Sequence, residues 1–285
     1  MESFFNIIPK TVQSSTPPKL CILLDIDETM LQYVDQPIGR DYDWFNNVTI
    51  QLRETGVANP KVVFRPYLDL FFKYAVKNGI HLGIWTYGSR THAELTAKQW
   101  IPFFIDNIEK QSGTKISPAL TFDFVYCDDD YSKWKEKTGE SHDKDLRMIY
   151  QNHKHWTPEN TLIIDNSIFN VSHIHNAKNG ILIQPFQPSA RDFHSYEDAK
   201  SDAVFLDDII PICHKLLERP SDKSISDILE PYQYSLSKDI VVFIVGKKIH
   251  DHRGEYVFIK RTDPSFFERA KKKGNKPTKY SIRNV

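Results

Sequence analysis

Cysteine is scarce: Cys21, Cys127 and Cys213 are the only three in 285 residues, far apart and without Cys-x-x-Cys spacing. That excludes a disulfide framework and a sulfur-rich zinc site. Long apolar runs are missing as well. None approaches 18 residues, and the start carries no basic segment followed by an apolar signal core. The expectation is a soluble body in the cytoplasm or nucleus, with secretion by a route lacking a cleaved signal left open. Net charge is absent too, since 37 Lys and Arg balance 37 Asp and Glu. The balance is uneven along the chain. Residues 1–235 carry 24 basic against 32 acidic residues, and residues 236–285 carry 13 against 5, which predicts an acidic body and a basic end.

What is present is a set of short apolar runs that end in polar chemistry. The first, Leu20 to Leu24, stops abruptly at Asp25-Ile26-Asp27-Glu28-Thr29. Such a run reads as a buried strand. Buried carboxylates are costly unless paired or bound to a cation, so three acids in four positions need a reason. In near-extended chain Asp25 and Asp27 reach the same rim of the sheet while Ile26 points back into the core. The pair suits Mg²⁺ or another hard cation, and one carboxylate could serve as a nucleophile. A solvated turn after a core strand fits the same spacing.

Further along, Pro66 opens a helical rhythm of Leu68, Phe71, Phe72, Ala75 and Val76 that Gly79 stops. Ile80 to Trp85 reads as a strand ending in Thr86-Tyr87-Gly88-Ser89, with Ser89 as the cap of a helix over 90–99 whose amino end would favour an anion. Phe122 to Cys127 is another strand, followed by Asp128, Asp129 and Asp130, a solvated strand end or an influence on substrate charge, and by a charged, mobile-looking stretch over 131–142. His142 to Leu146, with Lys144 among them, begins a helix that carries Leu146, Ile149 and Tyr150. Thr161 to Ile164 is a buried strand delivering Asp165-Asn166-Ser167, Ile181 to Ile183 is expected to be the last strand of the sheet, and 202–217 a closing helix.

The alternation of strands and helices predicts an α/β fold, an open and mostly parallel doubly wound sheet with helices on both faces. Ligands in such folds lie beyond the carboxyl ends of the strands, where Asp25, Thr86 and Asp165 fall. Three segments are expected: an N-terminal arm over 1–18, the domain over 19–219, and a linker with a basic appendage over 220–285. In the last, Ile240 to Val245 and Glu255 to Ile259 suggest a hairpin. Lys271, Lys272, Lys273, Lys276 and Lys279 then offer contact to an anionic membrane, nucleic acid or acidic partner, or simply solubilise the chain. No specific nucleic-acid motif accompanies them. Two further patterns carry less. Cys213 and Arg219 have the Cys-x5-Arg spacing of cysteine-dependent phosphatases, but no glycine forms the phosphate loop between them. The two His-x-His pairs, His153/His155 and His173/His175, lack a ligand framework.

DIDETML resembles the first motif, Asp-x-Asp-x-Thr, of the haloacid dehalogenase-like superfamily. WTYGS, the Lys144 of HDKDL and LIIDNS follow in that superfamily's order, and the last is similar to the form found in the small C-terminal-domain phosphatases, which dephosphorylate the RNA polymerase tail. The resemblance also extends to phosphatase effectors of intracellular bacteria, hence possible delivery into a host cell. It implies Asp25 as nucleophile and Asp27 as acid and base, with Thr86 and Lys144 on the phosphoryl group. It further implies Mg²⁺ on Asp25, the Asp27 carbonyl, Asp165 and Asn166. Only 20 residues separate Lys144 from Asp165, too few for a large cap, and the segment over 32–61, with Tyr33, Tyr42, Trp44 and Phe45, is expected to form a small flap. An open site favours a phosphorylated protein as substrate. Phosphotyrosine is slightly preferred over phosphoserine and phosphothreonine. A metabolite or nucleotide phosphatase and a non-catalytic phosphoprotein- or membrane-binding module stay as alternatives.

Overall fold

The computed structural model describes residues 20–34, 49–51, 61–113, 120–139, 144–186, 202–235 and 241–246. The expected N-terminal arm, the candidate strand over 255–259 and the lysine cluster over 271–279 lie outside the described residues.

Strand β1, Cys21–Leu24, is buried along its whole length because its residues are apolar on both faces, the pattern of a central parallel strand. It is followed by β2 (Leu31–Val34), β3 (Thr49–Gln51) and β4 (Lys61–Phe64), which form a separate antiparallel sheet in the order β2-β4-β3. This small sheet is the expected flap, built of strands where the sequence shows no sustained period. Helix α1, Leu68–Lys77, buries Leu68, Phe71, Phe72 and Ala75 as the rhythm predicts. It starts two residues after Pro66, behind a left-handed Tyr67, and Gly79 (φ 63°) ends it.

Strand β5 is His81–Trp85. The helix expected over 90–99 is longer: α2 (Arg90–Leu95) runs through a π turn at Thr96–Trp100 into α3 (Ile101–Ser112). Strand β6, Phe124–Tyr126, leads into α4, Asp128–Thr138. Here the expectation of a mobile stretch fails. Tyr131 and Trp134, three apart among charged residues, turn one helical face into the core, and Asp130 caps the helix through the Cys127 amide (3.0 Å). Helix α5, Leu146–Asn152, begins after an Asp145 cap, so Lys144 precedes the helix rather than riding on it.

Strand β7 (Thr161–Asp165), the short α6 (Ile168–Ser172) and β8 (Gly180–Leu182) complete the part of the sheet that carries the site. A π turn at Phe205–Ile209 opens α7, Ile210–Leu217, and α8 is Ile225–Leu229. Two more strands, β9 (Gln233–Ser235) and β10 (Val241–Ile244), follow. The main sheet has seven strands in the order β6-β5-β1-β7-β8-β10-β9. All neighbours are parallel except β10 and β9.

The doubly wound, mostly parallel architecture thus holds, with one correction at its end. Ile181–Ile183 is not the last strand. Val242, Phe243, Ile244 and Val245 are buried, and this apolar run pairs with β8, while Ile225 and Leu229 of α8 pack in the main core. The sheet therefore continues past residue 219, where the domain was expected to end. Among the described residues no helix is long and apolar enough to cross a membrane.

Candidate active site

The register explains why distant residues meet. Leu24 pairs with Ile84 of β5 and Ile164 of β7. The residues just beyond these positions, Asp25, Thr86 and Asp165, therefore leave the sheet side by side at its carboxyl edge.

Lys144 joins two of them from outside the sheet. Its ammonium, fully buried, donates to Asp25 Oδ1 (2.6 Å) and Asp165 Oδ2 (2.8 Å). The backbone around Lys144 is fixed by Asn176, which donates to the Lys144 carbonyl (2.7 Å) and accepts from the Leu146 amide (3.0 Å). Burial works to lower the Lys144 ammonium, but Asp165 and Asp25 outweigh it and hold the group above its ordinary value. Burial pushes the Asp25 carboxyl up to about 7; Lys144 draws it down, and Asp165 and Asp27 push it up again. Two buried carboxylates thus share one cation, a local excess of negative charge that favours a further positive group.

The turn after β1 is shaped by Glu28, whose φ of 58° is in the left-handed region. The reversal brings Thr29 back so that its hydroxyl donates to Asp25 Oδ2 (3.1 Å). Arg65 holds the same turn from the far side. Its guanidinium donates to the carbonyls of Glu28 (3.4 Å) and Thr29 (3.2 Å) and pairs with the buried Asp202 (3.0 Å), while the Phe186 amide also donates to the Glu28 carbonyl (2.6 Å). Asp27, next to the turn, keeps its side chain 45 % exposed and faces His92.

Asp165 is held on both oxygens: the Ser167 amide donates to Oδ1 (2.7 Å) and Asn170 Nδ2 to Oδ2 (2.9 Å). Asn166 donates its amide to Glu28 Oε2 (3.1 Å), which leaves its oxygen as the end that can serve a cation. Thr86, buried, accepts from the Gly88 amide (3.0 Å). The donors offered by Asp25, the Asp27 carbonyl, Asp165 and Asn166 are all oxygen, and with the buried negative excess they fit a hard divalent cation such as Mg²⁺.

A family model for NLI interacting factor-like phosphatases matches residues 20–223. The chain belongs to that family. The expected kinship with haloacid dehalogenase-like C-terminal-domain phosphatases is thereby borne out. Two solved structures are similar to this NLI interacting factor-like phosphatase. One is the fission yeast RNA polymerase II CTD phosphatase Fcp1 bound to beryllium fluoride, at 16 % identity over 74 % of this chain and 61 % of that one, with a TM-score of 0.39. The other is Fcp1 described as an essential RNA polymerase II CTD phosphatase, at 19 % identity over 73 % and 56 %, also with a TM-score of 0.39. The chain therefore spans less than two thirds of either of those chains. No curated protein sequence matches it.

Of the expected site residues in this family member, Asp25, Lys144 and Asp165 are in direct contact and Thr86 lies at the adjacent strand end. Asn166 reaches Glu28, and Asp27 reaches His92. Sequence reasoning missed Arg65, Asn170, Asn176 and His92, isolated polar residues with no local pattern to single them out. Tyr87 was also passed over; its hydroxyl donates to Asn170 (3.3 Å) and its ring stands 5.0 Å from the Lys144 ammonium. The other candidate patterns stay apart from the site. Cys213 is buried in α7, where burial pushes its thiol far up. Arg219 donates to the Leu216 carbonyl (2.7 Å) and to that of Glu159. Asp128 and Asp129 are exposed in the first turn of α4 and lie near Cys127.

Proposed function

We propose that this chain is a phosphoprotein phosphatase that works through an aspartyl-phosphate on Asp25. The observation that carries the reading is the buried Asp25–Lys144–Asp165 network at the carboxyl edge of the parallel sheet. Asp25 attacks phosphorus as the bond to the leaving oxygen breaks, and Asp27 supplies that oxygen with a proton. Asp27, now ionised, takes a proton from water, which attacks the aspartyl-phosphate and releases inorganic phosphate, restoring both carboxyl groups. Lys144 and Thr86 orient the phosphoryl oxygens, and Lys144 offsets charge that would otherwise repel the nucleophile. Asp25, the Asp27 carbonyl, Asp165 and Asn166 would hold Mg²⁺, which when bound supplies electrophilic charge on the transferring group.

Protein phosphate fits the surroundings. Between Lys144 and Asp165 the only helix is seven residues long, too small to close over a metabolite. Tyr87, 44 % exposed, offers an aromatic face beside Lys144, which supports phosphotyrosine over phosphoserine and phosphothreonine. The lysines at 271, 272, 273, 276 and 279 act in our reading on location or partner choice, through an anionic membrane or acidic partner, and not on bond breaking.

The test is hydrolysis of phosphotyrosyl, phosphoseryl and phosphothreonyl peptides beside small phosphometabolites, with Mg²⁺ and with chelator. Peptide turnover that needs Mg²⁺ and exceeds metabolite turnover supports the reading. Turnover confined to metabolites sinks the protein-substrate part, and no turnover of any ester favours a binding module.

A further inference from the structure

Asp27 has a partner that the reaction scheme above leaves without a task. His92 is on the first turn of α2, under a Ser89 cap whose hydroxyl accepts from the His92 amide (3.3 Å). Its Nε2 faces Asp27 Oδ2 at 3.3 Å. Its other nitrogen, Nδ1, lies 2.7 Å from the Tyr33 hydroxyl of β2 in the flap. Trp100 fixes both rings by edge contacts, with centroid separations of 5.5 Å to His92 and 5.7 Å to Tyr33. The His92 side chain is only 14 % exposed, whereas that of Asp27 is 45 % exposed. The more exposed carboxyl thus lies beside a ring that Tyr33 and Trp100 hold in place.

The chemistry of the two contacts sets the direction of the chain. Burial, then the nearby Asp27, pushes the Tyr33 phenol upward, so it keeps its proton and can donate to Nδ1. A neutral imidazole that accepts at Nδ1 carries its single hydrogen at Nε2. Nε2 is buried and makes no aligned hydrogen bond among the described residues; with Oδ2 at 3.3 Å, a small turn of the exposed Asp27 side chain lets it accept that hydrogen.

We infer that His92, oriented by Tyr33, is a positioning residue that holds Asp27 so that its other oxygen, Oδ1, faces the leaving group. His92 gives up no proton in this scheme. Oδ2 accepts its hydrogen bond, Oδ1 passes a proton to the leaving oxygen, and water restores that proton when the aspartyl-phosphate is hydrolysed. Since Tyr33 is a flap residue and His92 belongs to the body, the small sheet takes part in setting the acid's direction. The inference rests on the phosphatase reading given above.

The experiment compares kcat/KM, which covers steps only as far as departure of the leaving group, for a phosphotyrosyl peptide and for p-nitrophenyl phosphate. The tyrosyl oxygen, with an ordinary pKa of about 10, needs the proton; nitrophenolate departs without one. His92→Ala should lower the peptide value by at least about tenfold and the nitrophenyl value by less than about threefold, a part of what general acid catalysis supplies. His92→Gln, whose amide can donate from the same side, should recover most of the loss. Tyr33→Phe should show a smaller defect with the same leaving-group bias. Nitrogen NMR of the full chain should find the Nε2-protonated neutral ring in the parent and a mixture in Tyr33→Phe. Equal losses on both esters, an unchanged His92→Ala, or an Nδ1-protonated parent ring would each overturn the assignment. If the parent hydrolyses neither ester, the phosphatase reading falls, and the NMR result still decides whether the tether exists.

Discussion

Replacing Lys144 by Met keeps most of the length of the side chain and removes its charge. In the parent the ammonium faces Asp25 at 2.6 Å and Asp165 at 2.8 Å, with Lys144 and Asp165 buried and Asp25 nearly so. At an effective dielectric of about 20 each contact is worth ~6 kcal/mol of attraction before desolvation is counted. Desolvating the ammonium cancels much of this, so removing one partner from such a buried set costs about 3–5 kcal/mol. The loss should depend on pH. Asp25 is already raised to about 7, chiefly by burial, so the folded state holds its proton more tightly than the unfolded chain. Stability from that group is full below its ordinary value and fades as pH rises through 7. Without Lys144 the value climbs further, and the variant is most handicapped at the high pH where Asp25 has to give up its proton. Urea unfolding at pH 8, with chelator to exclude metal binding, should show the whole 3–5 kcal/mol deficit. At pH 5 the deficit should shrink to under about half, since a proton can stand in for the lost cation. An equal deficit at both values, or none at pH 8, would refute the claim that the lysine neutralises these carboxylates.

Asp25→Asn should keep the fold and abolish turnover, with no phosphoenzyme trapped on acid quench, whereas Asp27→Asn should slow the reaction by about 10²–10⁴-fold while leaving the nucleophile in place. Phosphoenzyme accumulating in Asp25→Asn would exclude Asp25 as the nucleophile. Arg65→Met strands the buried Asp202 and two carbonyls of the turn, and should lower unfolding stability by about 3–5 kcal/mol; a loss below about 1 kcal/mol would mean that the turn stands without it. Changing Lys271, Lys272, Lys273, Lys276 and Lys279 together to Gln should leave peptide turnover unchanged and weaken binding to anionic vesicles, most at low salt. Lost turnover in a folded variant would place those lysines at the active site.

The parts of this molecule that were legible in its sequence are those where chemistry repeats locally. Strand β1 and strand β7 are unbroken apolar runs closed by acids, so both the strands and the residues they deliver could be named. Helix α1 shows its buried face at helical spacing. Other elements gave no such signal. Strands β2, β3 and β4 are three or four residues long, and their pairing is settled by contacts far apart in sequence. Helix α4 hides two core aromatics among lysines and acids. Strand β10 read as half of a hairpin with residues 255–259, whereas its neighbours are β9, just before it, and β8, about sixty residues earlier. The site divides in the same way. Asp25, Lys144 and Asp165 stand in motifs, while Arg65, His92, Asn170 and Asn176 acquire their roles only when the chain brings them near a carboxylate or a turn. Glu28 illustrates the limit: nothing in its residue type announces a left-handed backbone, a conformation that favours glycine.

The late arrival of β10 has a consequence for how the protein is made. Strand β8 emerges from the ribosome with β7 already available on one side, but its other edge must wait for residues 241–244. At about 5–20 residues per second, the stretch from Leu182 to Ile244 takes roughly 3–12 s to synthesise. During that interval the site-bearing strands can assemble while Val171 and Leu182 await Val242 and Ile244, the residues that complete their cluster. A nascent chain stalled near residue 219 would therefore present an open apolar edge, a ready template for pairing with another chain. Shielding by a chaperone, or a fast passage through this stretch of the message, would keep that edge from pairing with another chain.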